Sequence, residues 1–172
     1  YSWTVNGAAA FIYGSTVSPA NTQRDEVWTV TVIATDGELE GPPVTASVEV
    51  QNSIPQVTSL ALTPLDAYTT ANLLCTATGA DDDGDAIALD YEWRVNGVDA
   101  RESSDTLNSD EFGKHDTVTC SVTPGDGTDE GETVTSNAVT ILNTLPSVAS
   151  VTISPNPAYG SDTLTCAWSG FN

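Results

Sequence analysis

The chain has 172 residues, 39% of them hydrophobic, which suits one or two small packed domains. Its 24 acidic residues face 4 basic ones, for a formal net charge of −20, so the surface repels nucleic acid and anionic membranes. Binding of DNA or RNA through a basic patch is excluded, and without an apolar run of about 18 residues no membrane insertion by this segment is expected. The acidity reads as attraction for cations, at defined sites or as a diffuse cloud, or as adaptation to high salt. Val, Thr, Ile and Tyr supply β propensity throughout, and no apolar stripe at helical spacing runs for three turns. The predicted class is all-β.

In chain order, Tyr1-Ser2-Trp3-Thr4-Val5-Asn6-Gly7 recurs 90 positions later as Tyr91-Glu92-Trp93-Arg94-Val95-Asn96-Gly97. Asp36-Gly37 recurs as Asp126-Gly127, and Gly41 as Gly131, at the same shift. One residue is then inserted and the match resumes at a shift of 91. Asn52-Ser53-Ile54-Pro55 answers to Asn143-Thr144-Leu145-Pro146, Pro64 to Pro155, Tyr68 to Tyr159, Cys75 to Cys166 and Gly79 to Gly170. A register held over so many positions marks tandem copies of one module. The boundary falls at the Asn-x-x-Pro junction, where proline ends one strand and starts the next. Residues 55–145 then form one complete module. Residues 1–54 supply strands C to G of the preceding copy, and 146–172 supply strands A and B of the following one.

Within the complete module the alternation predicts strand A at 56–63, B at 72–78, C at 91–96, E at 105–107, F at 117–123 and G at 133–142. Asn96-Gly97 suits a type I′ hairpin turn leading into a short strand C′. Pro124-Gly125-Asp126-Gly127 opens the F–G loop.

Cys75 and Cys120 lie on separate predicted strands, with Trp93 on a third. This is the spacing of an immunoglobulin-type sandwich. Together with Gly79-Ala80-Asp81-Asp82-Asp83-Gly84-Asp85, Tyr91–Gly97, Thr117–Gly127 and Val139–Pro146, the chain resembles bacterial tandem immunoglobulin-like repeats, similar to PKD and cadherin-like modules of large surface proteins. The resemblance covers the whole chain. It departs from many PKD modules in lacking their aromatic-Asp-Phe-Gly-Asp-Gly motif, and from antibody-type domains in placing Val118 where they carry a tyrosine. It implies tandem immunoglobulin-like β-sandwiches, a Cys75–Cys120 disulfide between sheets, Trp93 in the core, and Trp3 in the core of the first copy. It also implies an extracellular or bacterial cell-surface location, sometimes with calcium between strands B and C. Closing a loop of about 45 residues contributes roughly 4 kcal/mol in the chain-entropy account. Oxidising surroundings are implied. The first copy has Val30 in place of Cys120 and Trp28 in place of Val118, so apolar bulk replaces its bridge. Cys166 would pair with a cysteine on strand F of the next copy.

The sharpest chemical signal is Asp81, Asp83 and Asp85 around Gly84. Calcium takes about six to eight oxygens, and alternate carboxylates around a glycine turn converge on one ion. In a sandwich the B–C and F–G loops lie at one end, so Asp126, with Asp129 and Glu130, is expected to join them. The alternative is a solvated acidic turn. Trp93 stands where an EF-hand needs Glu, so this is no EF-hand. His115 is the single histidine, and no Gly-x-Ser-x-Gly occurs, so no enzyme is read here. The expected role is a structural or adhesive repeat segment of a surface protein, stalk or filament, calcium-rigidified if the loop binds metal. The alternatives are a glycan- or protein-binding module using the B–C and F–G loops, or an accessory region of a large secreted enzyme. Strands A and B at one end and C to G at the other make almost a full module. The expected partners are therefore neighbouring repeats, in one polymer or head to tail between copies.

Overall fold

The computed structural model describes residues 1–171, and apart from one 3-10 turn at Pro19–Asn21 all regular structure in it is strand. In chain order the strands are β1 (Ser2–Val5), β2 (Ala8–Ala9), β3 (Val27–Val32), β4 (Val44–Glu49), β5 (Gln56–Thr63), β6 (Leu73–Ala80) and β7 (Ala88–Val95). They continue as β8 (Val98–Asp99), β9 (Thr106–Leu107), β10 (Thr117–Gly125), β11 (Val134–Thr135), β12 (Val139–Thr140), β13 (Val148–Ser154) and β14 (Thr165–Phe171). All strand pairings are antiparallel. The all-β class read from composition is the one observed.

Strands β5–β12 enclose the main core. One sheet runs β5-β6-β9; the other runs β11-β10-β7-β8, with β12 also paired to β10. Alternation decides what faces inward. Along β10, Val118, Cys120 and Val122 are fully buried, as are Leu73 and Cys75 on β6 and Trp93 on β7. Cys75 and Cys120 are bonded, with Cα atoms 6.4 Å apart, and so tie one sheet to the other. Trp93 lies opposite Cys120 in the β7–β10 register, and its indole N–H donates to the Ser104 carbonyl at 2.8 Å.

The sequence repeat is a register repeat. Trp3 pairs with Val30 on β3 as Trp93 pairs with Cys120 on β10, and Trp28 with Val48 on β4 as Val118 with Val139 on β12. The Asn6-Gly7 and Asn96-Gly97 turns both hold positive φ at each residue, 49° and 82°, then 51° and 79°. A primed hairpin turn requires this. It leads into β2 and β8, the short strand expected.

The predicted strands hold, with differences in strands B, C, F and G. Strand C begins at Ala88 rather than 91, because β10 continues through Pro124 and Gly125 and offers pairing to Leu89 and Ala88. Strand B extends to Ala80, paired with Gln56. Strand G is broken. Thr135 follows the 90-residue shift and Val139 the 91-residue shift, so the inserted residue lies between β11 and β12. Ser136 accommodates it: its N–H donates to the Cys120 carbonyl at 2.8 Å, and its hydroxyl accepts from the Cys120 N–H at 3.1 Å. One bulged side chain thus restores both backbone bonds of the bridging cysteine.

The outer copies are thinner. In the sheet β2-β1-β3-β4, Trp28 is buried but Trp3, expected in a core, is only partly so. The two indoles meet edge to face at 6.3 Å, and no second sheet covers them among the described residues. Among the described residues β13 and β14 pair only with each other, leaving Trp168 63% exposed and Cys166 an exposed free thiol.

Candidate metal centre at the junction between repeats

The segment between β6 and β7 folds on itself because Asp81 caps it. Its Oδ1 accepts the N–H of Asp83 at 2.8 Å and of Asp85 at 3.4 Å, and its carbonyl accepts from Gly84 at 3.2 Å. Gly84 sits at φ 81°, the left-handed conformation that reverses the chain here. The turn brings one oxygen each from Asp81, Asp83 and Asp85 within 4.8 Å of one another. Asp81 Oδ2 is buried with no hydrogen-bond partner. Three convergent carboxylates and an orphaned oxygen are a hard-oxygen donor set that fits a divalent cation.

Asp126 does not join this triad directly. Its Oδ1 caps its own loop, accepting from Thr128 N–H at 2.6 Å and Asp129 N–H at 2.7 Å. Its Oδ2 accepts the Asn52 side-chain amide at 2.8 Å, and the same amide reaches Asp129 at 2.8 Å. The Asp129 N–H, then the Asn52 amide and the Thr128 N–H, hold the Asp126 carboxyl below its ordinary value. Asp36, its counterpart in the first copy, is lowered by the N–H groups of Leu39 and Glu38.

The residues that sequence reasoning missed all come from the preceding copy. Arg24 Nη1 is paired with Asp85 Oδ2 and also donates to Asn52 Oδ1 at 2.6 Å. The Ser53 N–H donates to Asp83 Oδ2 at 2.6 Å. Arg24 lines one wall of a cleft with Thr22, Gln23 and Asp25, and Asp82, Asp83 and Asp85 line the other. Asn52 is the hub, its oxygen toward Arg24 and its nitrogen toward two aspartates. Asn52 and Asn143 mark both junctions in the sequence, and Arg24 aligns with Lys114, but neither match names a partner.

The chain path between the copies is packed as tightly. Pro55 is fully buried, and a Cβ on Gly131 would overlap its carbonyl oxygen. Gly131 is itself tied to the Pro124 carbonyl at 2.8 Å, so it has no room to retreat. Gly131→Ala is therefore expected to cost about 1–3 kcal/mol of stability, by overpacking. Urea unfolding of the variant checks it, and an unchanged midpoint would refute the close approach. Elsewhere, His115 is an exposed turn residue. Among known proteins, no family model and no curated sequence matches this chain.

Proposed function

We propose that this chain is a spacer: a structural or adhesive segment of an extracellular, acidic, tandem immunoglobulin-like repeat protein, stiffened at its joints by calcium. The observation that carries the reading is the junction. Arg24, Asn52 and Ser53 of one repeat bond Asp83, Asp85, Asp126 and Asp129 of the next. A linker meant to swing freely would leave such groups to water. The buried Cys75–Cys120 bridge supports an oxidising home. No helix among the described residues is long and apolar enough to cross a membrane. The exposed faces of β1–β4 and β13–β14 match those that pack together within β5–β12, so further repeats, in the same polymer or a second copy, are the fitting partners. Ligand capture by the B–C and F–G loops has less support, because Asp83, Asp85, Asp126 and Asp129 there already bond the preceding repeat.

Calcium would be held by Asp81, Asp83 and Asp85, with Asp126 linked to them only through Asn52 and Arg24. Extracellular calcium modules bind at about 10⁻⁴–10⁻³ M. At about tenfold excess over the dissociation constant, binding adds about 1.4 kcal/mol. That corresponds to a rise of roughly 5–10 °C in melting temperature for a module of this size. The test is a thermal titration with calcium at constant ionic strength, which separates site binding from general screening. The rise should vanish in Asp83→Asn and Asp85→Asn. An unchanged melting temperature in the wild-type chain removes calcium from the account.

A further inference from the structure

The joint already contains a cation, and it belongs to the protein. Only four residues in the chain are basic, and two of them, Arg24 and Lys114, occupy equivalent positions 90 residues apart. The turns that present them are built alike. Asp25, which follows Arg24, has φ 67° and donates its N–H to the Val50 carbonyl at 2.9 Å. His115, which follows Lys114, has φ 71° and donates to the Ile141 carbonyl at 2.7 Å. Gln23 N–H is capped by the Glu26 carboxylate at 2.8 Å, and Gly113 N–H by Asp116 at 2.6 Å. Both turns therefore aim a basic side chain from the same point of the repeat. Each also has a junction asparagine, Asn52 or Asn143, at the end of the adjacent strand G.

In the first of these turns the basic group is engaged. The Arg24 guanidinium holds Asp85 and Asn52 together, and Asn52 holds the second acidic loop through Asp126 and Asp129. Both bonds leave one nitrogen, Nη1, so what the joint uses is a positive charge with two N–H donors on a single atom. In a chain of net charge −20, two acidic loops and the Asp25 side of the cleft repel one another unless a positive charge lies between them.

We propose that the turn before β3, and its copy before β10, is each repeat's outgoing docking surface: a basic side chain plus a junction asparagine that receives the acidic β6–β7 loop of the repeat that follows. Arg24 is the engaged example. Lys114 with Asn143 is the same surface presented to a further repeat, and the partner it fits is an acidic loop of the Asp81–Asp85 type. This deepens the spacer reading and rests on it. The orientation of successive repeats is set first by the protein's own cation, and calcium adds to a joint already closed.

The test measures distances between nitroxide labels at Thr45→Cys and Thr140→Cys in a Cys166→Ser background, by pulsed electron resonance with calcium chelated. The chain with Arg24 intact should give one narrow distance distribution. Arg24→Ala should turn it into a broad one, while Arg24→Lys, which installs the side chain of the second copy, should keep it narrow. Melting of each variant confirms that β5–β12 remains folded. A distribution that stays narrow in Arg24→Ala overturns the proposal, as does one that broadens in Arg24→Lys. A distribution broad without calcium and narrow with it would assign the joint to the metal alone, overturning this proposal but leaving the spacer. One broad under both conditions would overturn the spacer reading itself.

Discussion

Removing the Cys75–Cys120 bridge should lower the melting temperature of the β5–β12 unit by roughly 15–30 °C. The two cysteines are 45 residues apart in sequence, and a closed loop of that size contributes about 4 kcal/mol by restricting the unfolded chain. For a module of 60–100 residues, each kcal/mol moves the midpoint by about 4–8 °C. Total stability for such a unit is about 5–15 kcal/mol, so the bridge is a large share of it. Both sulfurs are fully buried, so reductant added to the folded protein reaches them slowly. The measurement should use Cys75→Ala/Cys120→Ala, or protein unfolded and refolded under reductant. A fall of under about 5 °C would show that the core, and not the crosslink, supplies the stability.

Trp93→Ala is expected to cost about 3–5 kcal/mol, the range for deleting a large buried aromatic side chain. The ring is fully buried between the sheets, opposite Cys120 in the strand register. The substitution also strands the Ser104 carbonyl, which the indole N–H satisfies at 2.8 Å. Trp93→Phe separates the two effects. It keeps most of the apolar bulk and loses the hydrogen bond, for about 1–3 kcal/mol. Chemical denaturation with the disulfide intact measures both. Because Trp93 and the bridge share one core, the triple variant should depart from additivity. A Trp93→Ala cost below about 1 kcal/mol would contradict the packing described here.

Much of this was legible in the sequence because local pattern and repeat pointed the same way. Alternation along Thr117–Val122 marks a strand with Val118, Cys120 and Val122 inward, and they are buried. The Asn96-Gly97 pair marks a primed turn, and the positive φ angles follow. The carboxylate triad was legible too, since its spacing lies within one short turn. What was not legible depends on contacts between distant residues. Arg24 and Asp85 are 61 positions apart, and Asn52 and Asp126 are 74. Nothing in either segment announces the other. Asp126 is hydrogen-bonded to Asn52 of the preceding copy, a contact that the sequence of its own loop does not announce. The Asn52 amide and the Arg24 guanidinium stand in series between it and the triad, so the two anionic loops meet across donors. The inserted residue was visible as a change of repeat length, but only the paired registers place it beside Cys120. Trp3 was expected in a closed core on the strength of its match to Trp93. A match in sequence supplies the ring and its strand, not the opposing layer.

The two adjoining repeats respond differently to being pulled. In the first, Val30 faces Trp3, and no covalent tie interrupts its path, so tension that ruptures β3 from β4 can draw the segment out to full length. In the second, everything between Cys75 and Cys120 is short-circuited by sulfur, and force bypasses that loop even after the sheets have parted. Roughly half of that unit stays reeled in. A string that mixes such units lengthens in two increments, and only a change of redox conditions releases the withheld slack.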